Sequence, residues 1–331
     1  MGKLKLRYII FVLVFITTVC YLYLVRNENF EVVNNIPVPP PGESVDLKKQ
    51  KIYESVKDLI DQCPELKTDG NSLVHLINST SGFGSQFTMI AQNIYYLHSL
   101  NPSLTIVPLF VTSSDNFKYL EPGIDNSFFL YFRMVGNVPK QTYNHYYVNV
   151  GVLNELPFFN GDVIPPMESD VNRRYIMHFR EHFEPILNPS VKEHMSQITR
   201  SNPLVGIHIR SLAQKSGHQP GYLSMSLDDR LKKVSDSLGK DISLFVMTDV
   251  DDYIVKAKQI FQCPVYYIDN IDRIPTGDKD SVPLLNSGYK LGADIMNECY
   301  AMSLCDKLYV SNSNIPFLIN MIRPDIEMIG Y

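Results

Sequence analysis

The chain has 331 residues, 45% hydrophobic and 20% charged, which is enough apolar content to bury a large core and too much for a disordered or fibrous chain. Its formal net charge of -5 leaves no basic footprint. Nucleic acid is therefore excluded as the main partner, and any anion must be held by a local cluster of charge.

The N-terminus carries Lys3, Lys5 and Arg7 within residues 1–7, a cytoplasmic tail, followed by residues 8–25, YIIFVLVFITTVCYLYLV, apolar apart from Thr17 and Thr18. At about 1.5 Å per residue a helix of this length just crosses a hydrocarbon core. The preceding cations hold the tail in the cytoplasm and send the remainder to the lumen. No small-residue cleavage site follows, so the run reads as an uncleaved signal-anchor rather than a cleaved signal peptide. Residues 26–50 contain IPVPPPG and have no helical or strand period; they read as an extended stem, with a plain unstructured terminus as the alternative.

Two features bear on a luminal location. Asn78-Ser79-Thr80 is a glycosylation sequon. Cys63, Cys263, Cys299 and Cys305 lie beyond the anchor and could pair as two disulfides in an oxidising compartment. No C-x-x-C pair is present, which argues against zinc.

Residues 73–78 form an apolar run, followed by the glycine turn Ser81-Gly82-Phe83-Gly84-Ser85-Gln86, a helical period over 87–100 and a strand over 104–111. This series defines an α/β lobe. The G-x-G lacks the third glycine of a dinucleotide fingerprint, and no G-x-x-x-x-G-K-[ST] loop is present. Residues 119–165 are rich in aromatics and proline and resist ordering; they would build the acceptor side. Helices follow over 173–183 and 191–200. In the second half, strands at 204–209, 242–247, 265–268, 308–310 and 326–329 alternate with helices at 228–238, 252–261, 293–304 and 316–322. Such alternation predicts a parallel, doubly wound sheet with ligands at the carboxyl ends of its strands. The expected architecture is α/β with two Rossmann-like lobes, 51–200 and 201–331.

Each polar cluster falls at such a strand end: His208 and Arg210 on the first, Thr248 and Asp249 on the next, and Ser311-Asn312-Ser313-Asn314 before the last helix. Asp249-Val250-Asp251-Asp252 contains a D-x-D. Its place at a strand-to-helix junction favours capping by Asp251 or Asp252 over a bound cation.

Four stretches, in this order, carry a family resemblance: Gly82-Phe83-Gly84-Ser85-Gln86; Gly206-Ile207-His208-Ile209-Arg210; Phe245-Val246-Met247-Thr248-Asp249; and Asp294 followed by Val310-Ser311-Asn312-Ser313. Together they resemble the Golgi type II fucosyltransferases of the GT-B-like superfamily, the α1,2-, α1,6- and protein O-fucosyltransferase group. Two departures stand out: Ser211 replaces a second arginine of the family pattern, and the chain has no tryptophan.

The resemblance implies an inverting, metal-independent enzyme without a cofactor that moves fucose from GDP-fucose to a glycan or glycoprotein. It implies donor contacts at Gly82, Gly84, His208, Arg210, Asp294, Ser311, Asn312 and Ser313. Arg210 would stabilise charge growing on the departing diphosphate. His218, after Lys215-Ser216-Gly217, would serve as base toward the acceptor hydroxyl. Against these stand plainer alternatives: a salt bridge for Arg210, a satisfied core histidine for His208 and an exposed loop histidine for His218. A non-catalytic luminal binder of glycans or GDP-sugars, or a transferase using another nucleotide sugar, fits the same residues.

Overall fold

The computed structural model describes residues 47–78, 82–110, 119–120, 124, 126–135, 143–151, 170–198, 202–210, 226–275, 288–311 and 313–331. The expectations for residues 8–25, most of the stem, Asn312 and His218 lie outside the described residues. Among the described residues no helix is long and apolar enough to cross a membrane.

The first sheet is parallel and four-stranded. Its order is β1 (Ile52–Tyr53), β5 (Asn144–Asn149), β2 (Ser72–Ile77), β3 (Thr105–Leu109). Helix α1 (Val56–Gln62) follows β1, and α2 (Phe83–Leu100) connects β2 to β3. Strand β5 falls within the stretch that resisted ordering. Its sequence NHYYVN alternates too weakly to announce a strand, yet it pairs along its whole length with β2. A small antiparallel pair, β4 (Phe132–Met134) with β6 (Phe183–Pro185), lies beyond it. Helices α3 (Asp170–His182) and α4 (Pro189–Gln197) lead into the second half.

The second sheet is also parallel. Its strands are β7 (Leu204–Ile209), β8 (Ser243–Thr248), β9 (Val265–Tyr266), β10 (Lys307–Val310) and β11 (Glu327–Gly330), in the order β11-β10-β7-β8-β9. Its helices are α5 (Leu227–Ser237), α6 (Asp251–Ile260), α7 (Tyr289–Ser303) and α8 (Ile315–Ile322). The period-2 alternation of β7 explains why both faces are covered. Val205, Ile207 and Ile209 pack with Leu231 of α5 and Ile254 and Ala257 of α6. Leu204, with Phe245 of β8 and Leu308 of β10, faces Met302 of α7 and Leu318 of α8. Gly206 lies on this second face, where a Cβ would stand 2.4 Å from Leu308 and 3.0 Å from the Met302 sulfur, so only glycine fits.

One apolar core joins the two sheets through a helical layer that includes α2, α3, α7 and α8. Phe83, Phe87, Phe110, Phe128, Tyr131, Phe132, Phe179 and Phe183 fill it with edge-on and tilted contacts, such as Phe87–Phe132 at 4.9 Å and Phe128–Phe183 at 5.3 Å. These rings supply the bulk that tryptophan would give elsewhere.

Two sequence expectations fail here. The four cysteines are free thiols. Cys63 contacts the Tyr53 hydroxyl at 2.9 Å, Cys305 Sγ lies 3.7 Å from the Ala301 carbonyl, and Cys299 is buried in α7. The aspartate run does not cap α6 through a side chain either: Val250 is the N-cap, and Asp251 and Asp252 occupy the first turn. They complement the helix dipole instead. Their N–H groups donate to Ile274 and Pro275 carbonyls at 3.0 and 3.3 Å.

That segment is locked by a buried pair. Arg273 donates to the carbonyls of Thr248 and Ile268, both at 3.0 Å, and to Glu298 Oε1 at 2.6 Å. Removing the carboxylate leaves a buried guanidinium short of a partner, so Glu298→Ala should cost about 3–5 kcal/mol in urea unfolding. Burial raises the Glu298 carboxyl to about 7, and Arg273 offsets only part of this. The folded chain then keeps a proton, between the ordinary carboxyl range and about pH 7, that the unfolded chain has released. This contribution to stability therefore falls as pH rises through that window. Wild type should lose stability relative to Glu298→Gln between about pH 5 and about pH 7.5; a shift in favour of wild type would contradict the assignment.

Candidate functional site

In the second sheet the chain runs from β7 outward through β8 to β9, then returns to place β10 on the other side of β7. Between β7 and β10 the direction of winding reverses, and the diverging connections open a crevice at the carboxyl ends of these two strands. His208 is the second-last residue of β7, and Ser311 immediately follows β10. His208 Nδ1 and Ser311 Oγ are 3.1 Å apart, and the Ser311 N–H donates to the His208 carbonyl at 3.3 Å. The same carbonyl accepts the Tyr331 hydroxyl at 3.0 Å. His208 and Ser311 are 4% and 1% exposed, so the histidine is a satisfied, buried element of the crevice floor. Arg210, two positions on, emerges partly exposed at the strand exit.

The other wall belongs to the first half of the chain. Helices α2 and α8 begin at the same place. A Cβ on Gly84 would stand 2.8 Å from the Asn314 carbonyl oxygen, and Asn314 Nδ2 donates to Ser85 Oγ at 2.6 Å. Gly82 differs from Gly84: it is the N-cap of α2 with open space around it. Ser313 Oγ accepts the Ile315 N–H at 3.1 Å and so closes the first turn of α8.

Helices α1, α3, α5 and α6 each carry an acid in the first turn, whereas α2, α4, α7 and α8 carry none; of these last four, α2 and α8 start side by side. Two uncompensated positive helix ends thus converge beside the β7–β10 switch point, an arrangement suited to an anion.

Tyr119 completes this wall, and nothing in the sequence marks it. Its φ of 68° is rare for a bulky residue and carries strain of order 1–3 kcal/mol. The strain is held by Tyr131, whose hydroxyl donates to the Tyr119 carbonyl at 2.7 Å, and by ring contact with Phe83 at 4.8 Å. In return the Tyr119 hydroxyl accepts the Phe83 N–H at 3.2 Å, satisfying the first residue of α2. Burial raises the Tyr119 hydroxyl pKa, while the bond from Phe83 and the Arg210 charge pull it back. Arg210 therefore acts electrostatically on the wall formed at the start of α2. Gly288, with φ 103°, lets the Leu120 carbonyl approach the start of α7, where a Cβ would stand 3.1 Å from it.

The structure thus brings together His208, Arg210, Ser311, Ser313 and Gly84 of the sequence-derived set. Asp294 is engaged otherwise. On α7, one turn before Glu298, it pairs with Lys290 at 2.7 Å, and Lys290 also reaches Asp272 at 3.1 Å. Burial raises the Asp294 carboxyl, with Lys290 offsetting part of the effect. Through Lys290 these contacts link the segment after β9 to α7.

Comparison with known proteins finds no matching family model and no matching curated protein. Among solved structures the chain is similar to NodZ α-1,6-fucosyltransferase soaked with GDP-fucose, at 13% identity and TM-score 0.41, over 77% of this chain and 93% of that one. It is similar to an Arabidopsis thaliana FUT1 mutant in complex with GDP, at 12% identity and TM-score 0.39, over 83% and 73%. A third likeness is to POFUT1 in complex with GDP, at 10% identity and TM-score 0.34, over 82% and 77%.

The meeting of α2 and α8 can be tested by volume alone. Gly84→Ala forces a methyl group against backbone that has no side-chain freedom to yield, and should cost about 1–3 kcal/mol. Gly82→Ala, in open space, meets no steric clash and should cost less, under about 1 kcal/mol from the poorer N-cap, in the same denaturant unfolding assay. Equal stability of the two variants would show that the helix ends do not abut.

Proposed function

We propose that the chain is a glycosyltransferase that moves fucose from GDP-fucose, with inversion, to a hydroxyl of a glycan or glycoprotein. One observation carries this reading: Arg210, the His208–Ser311 pair and the uncompensated ends of α2 and α8 converge at one switch-point crevice. The donor sugar itself is taken from the resemblance of the four ordered stretches.

Transfer breaks the bond between the sugar and the diphosphate, so negative charge grows on the phosphate oxygens. Donors fixed in advance around that position stabilise the transition state more than the bound donor. In this reading Arg210 gives the planar fork of its guanidinium to the departing phosphate, and the positive dipole end of α8 faces the rest of the charge. His208 and Ser311 set the floor against which the nucleotide lies. His218 takes the proton of the attacking hydroxyl, which approaches from the face opposite the leaving group. The diphosphate is neutralised by protein groups, with no step through a cation. The reading extends to a single-pass type II protein of the Golgi membrane with its catalytic part in the lumen, supported by residues 1–25 and by the resemblance.

The test is a donor screen on the full chain in detergent, scored by release of GDP or UDP. GDP release from GDP-fucose that rises with a glycan acceptor supports the reading. Binding of GDP-fucose without turnover points to the non-catalytic alternative, and release of UDP to another donor.

Arg210→Lys and Arg210→Ala should both lose on the order of 10²-fold or more in kcat, because an ammonium lacks the bidentate fork. Folded Arg210→Ala with normal turnover would end this mechanism; failure to fold would instead support a structural salt bridge. Turnover should survive EDTA, and a complete loss restored by Mn²⁺ would return Asp249 and Asp251 to the catalytic set.

A further inference from the structure

Away from the crevice, α2 and α3 bring three imidazoles together. His98 lies in the last turn of α2, and His178 and His182 sit one turn apart on α3. One ring nitrogen from each lies within 4.8 Å of the others. Ring centroids are 4.5 Å apart for His98–His182 and 5.0 Å for the other two pairs.

The outward nitrogens fix the tautomers. His98 Nε2 lies 3.0 Å from the Leu104 carbonyl, which can only accept, so this nitrogen carries hydrogen. His178 Nδ1 lies 3.2 Å from Glu181 Oε2, and an ionised carboxylate likewise only accepts. In the neutral rings His98 Nδ1 and His178 Nε2 are then both lone pairs, and they face each other at 2.8 Å. Two acceptors at that distance repel unless a positive centre lies between them. A shared proton would bridge only these two nitrogens and leave the third ring, which also brings a nitrogen within 4.8 Å, outside the bond. A divalent ion satisfies both lone pairs and takes in the third ring.

We propose that His98, His178 and His182 form a structural zinc site that ties the end of α2 to α3. Three neutral imidazoles with solvent in the fourth position suit tetrahedral Zn²⁺. Zinc-bound nitrogens stand about 3.3 Å apart, given Zn–N of about 2.0–2.1 Å, so small ring rotations convert the observed cluster into the bound one. Leu104 and Glu181 are the outer partners that such histidines characteristically have, orienting the rings and raising their basicity. The cysteine spacing argued against zinc, but these ligands come from the H-x-x-x-H of α3 and a single histidine 80 positions earlier. His98 follows Gly84 by 14 positions, about 21 Å of helix. The ion would therefore brace the fold without touching the donor crevice.

The test uses the full chain without a polyhistidine tag. Metal analysis should find close to one zinc per chain. Saturating Zn²⁺ added to EDTA-treated protein should raise Tm by about 5 °C or more. Co²⁺ should give the visible bands of a tetrahedral nitrogen site. Glu181→Gln, an exposed substitution, should weaken zinc about 10–100-fold while leaving the metal-free Tm unchanged. His178→Gln with His182→Gln should abolish the Tm response. Absence of both bound zinc and a Tm response in wild type would overturn the proposal. So would an unchanged zinc response in the double variant, or uptake of copper or nickel with none of zinc.

Discussion

The structure turns on a contact that only glycine permits. Gly84 in the first turn of α2 lies against the backbone of Asn314 at the start of α8, with no room for a Cβ. Because these two helices belong to different sheets, the contact sets where one half of the chain meets the other. The Ser85–Asn314 hydrogen bond ties the same two helix starts, and the Tyr119 hydroxyl meets the Phe83 N–H beside them. A chain with net charge -5 thereby gains a local positive region from peptide dipoles rather than from an excess of lysine and arginine.

That region gives the β7–β10 switch point its chemical sense. A parallel sheet of this order always leaves a crevice where its winding reverses, but a crevice alone selects nothing. Selectivity for an anion comes from what borders it: two helix ends without acids in their first turns, a buried His208–Ser311 pair and an arginine at the strand exit. By contrast, the carboxyl end of β8 is occupied by structural bonding, because Arg273 takes the Thr248 carbonyl and the 268–275 segment is stitched over it. The division of labour lies in the geometry: the end of β8 is sealed and the ends of β7 and β10 border the crevice.

The second half of the fold was legible because parallel strands buried on both faces read as apolar runs with polar residues only at their ends, as in Leu204 to Arg210. The crevice residues were visible for the same reason, since a histidine or arginine interrupting such a run has to be at an edge. The rest depended on distance through space. Strand β5 is half polar, and its pairing with β2 fixes it rather than its own pattern. The strained backbone of Tyr119 is held by Tyr131, and the Leu120 carbonyl next to it is admitted by Gly288, neither adjacent in sequence. The histidine cluster joins positions 98, 178 and 182 across two helices. The cysteines misled because their even number says nothing about separation, and the aspartates because an acid at a helix start serves equally in the first turn as at the cap.

The central claim is that an anionic nucleotide is held where α2, α8 and the end of β7 meet. Hydrogen–deuterium exchange of the full chain with and without GDP tests it most directly. Protection confined to residues 83–88, 208–210 and 313–318 is the expected result, because those segments border the proposed diphosphate. Protection at the outer face of the first sheet, around 73–77 and 145–149, with none at these three segments would contradict the account.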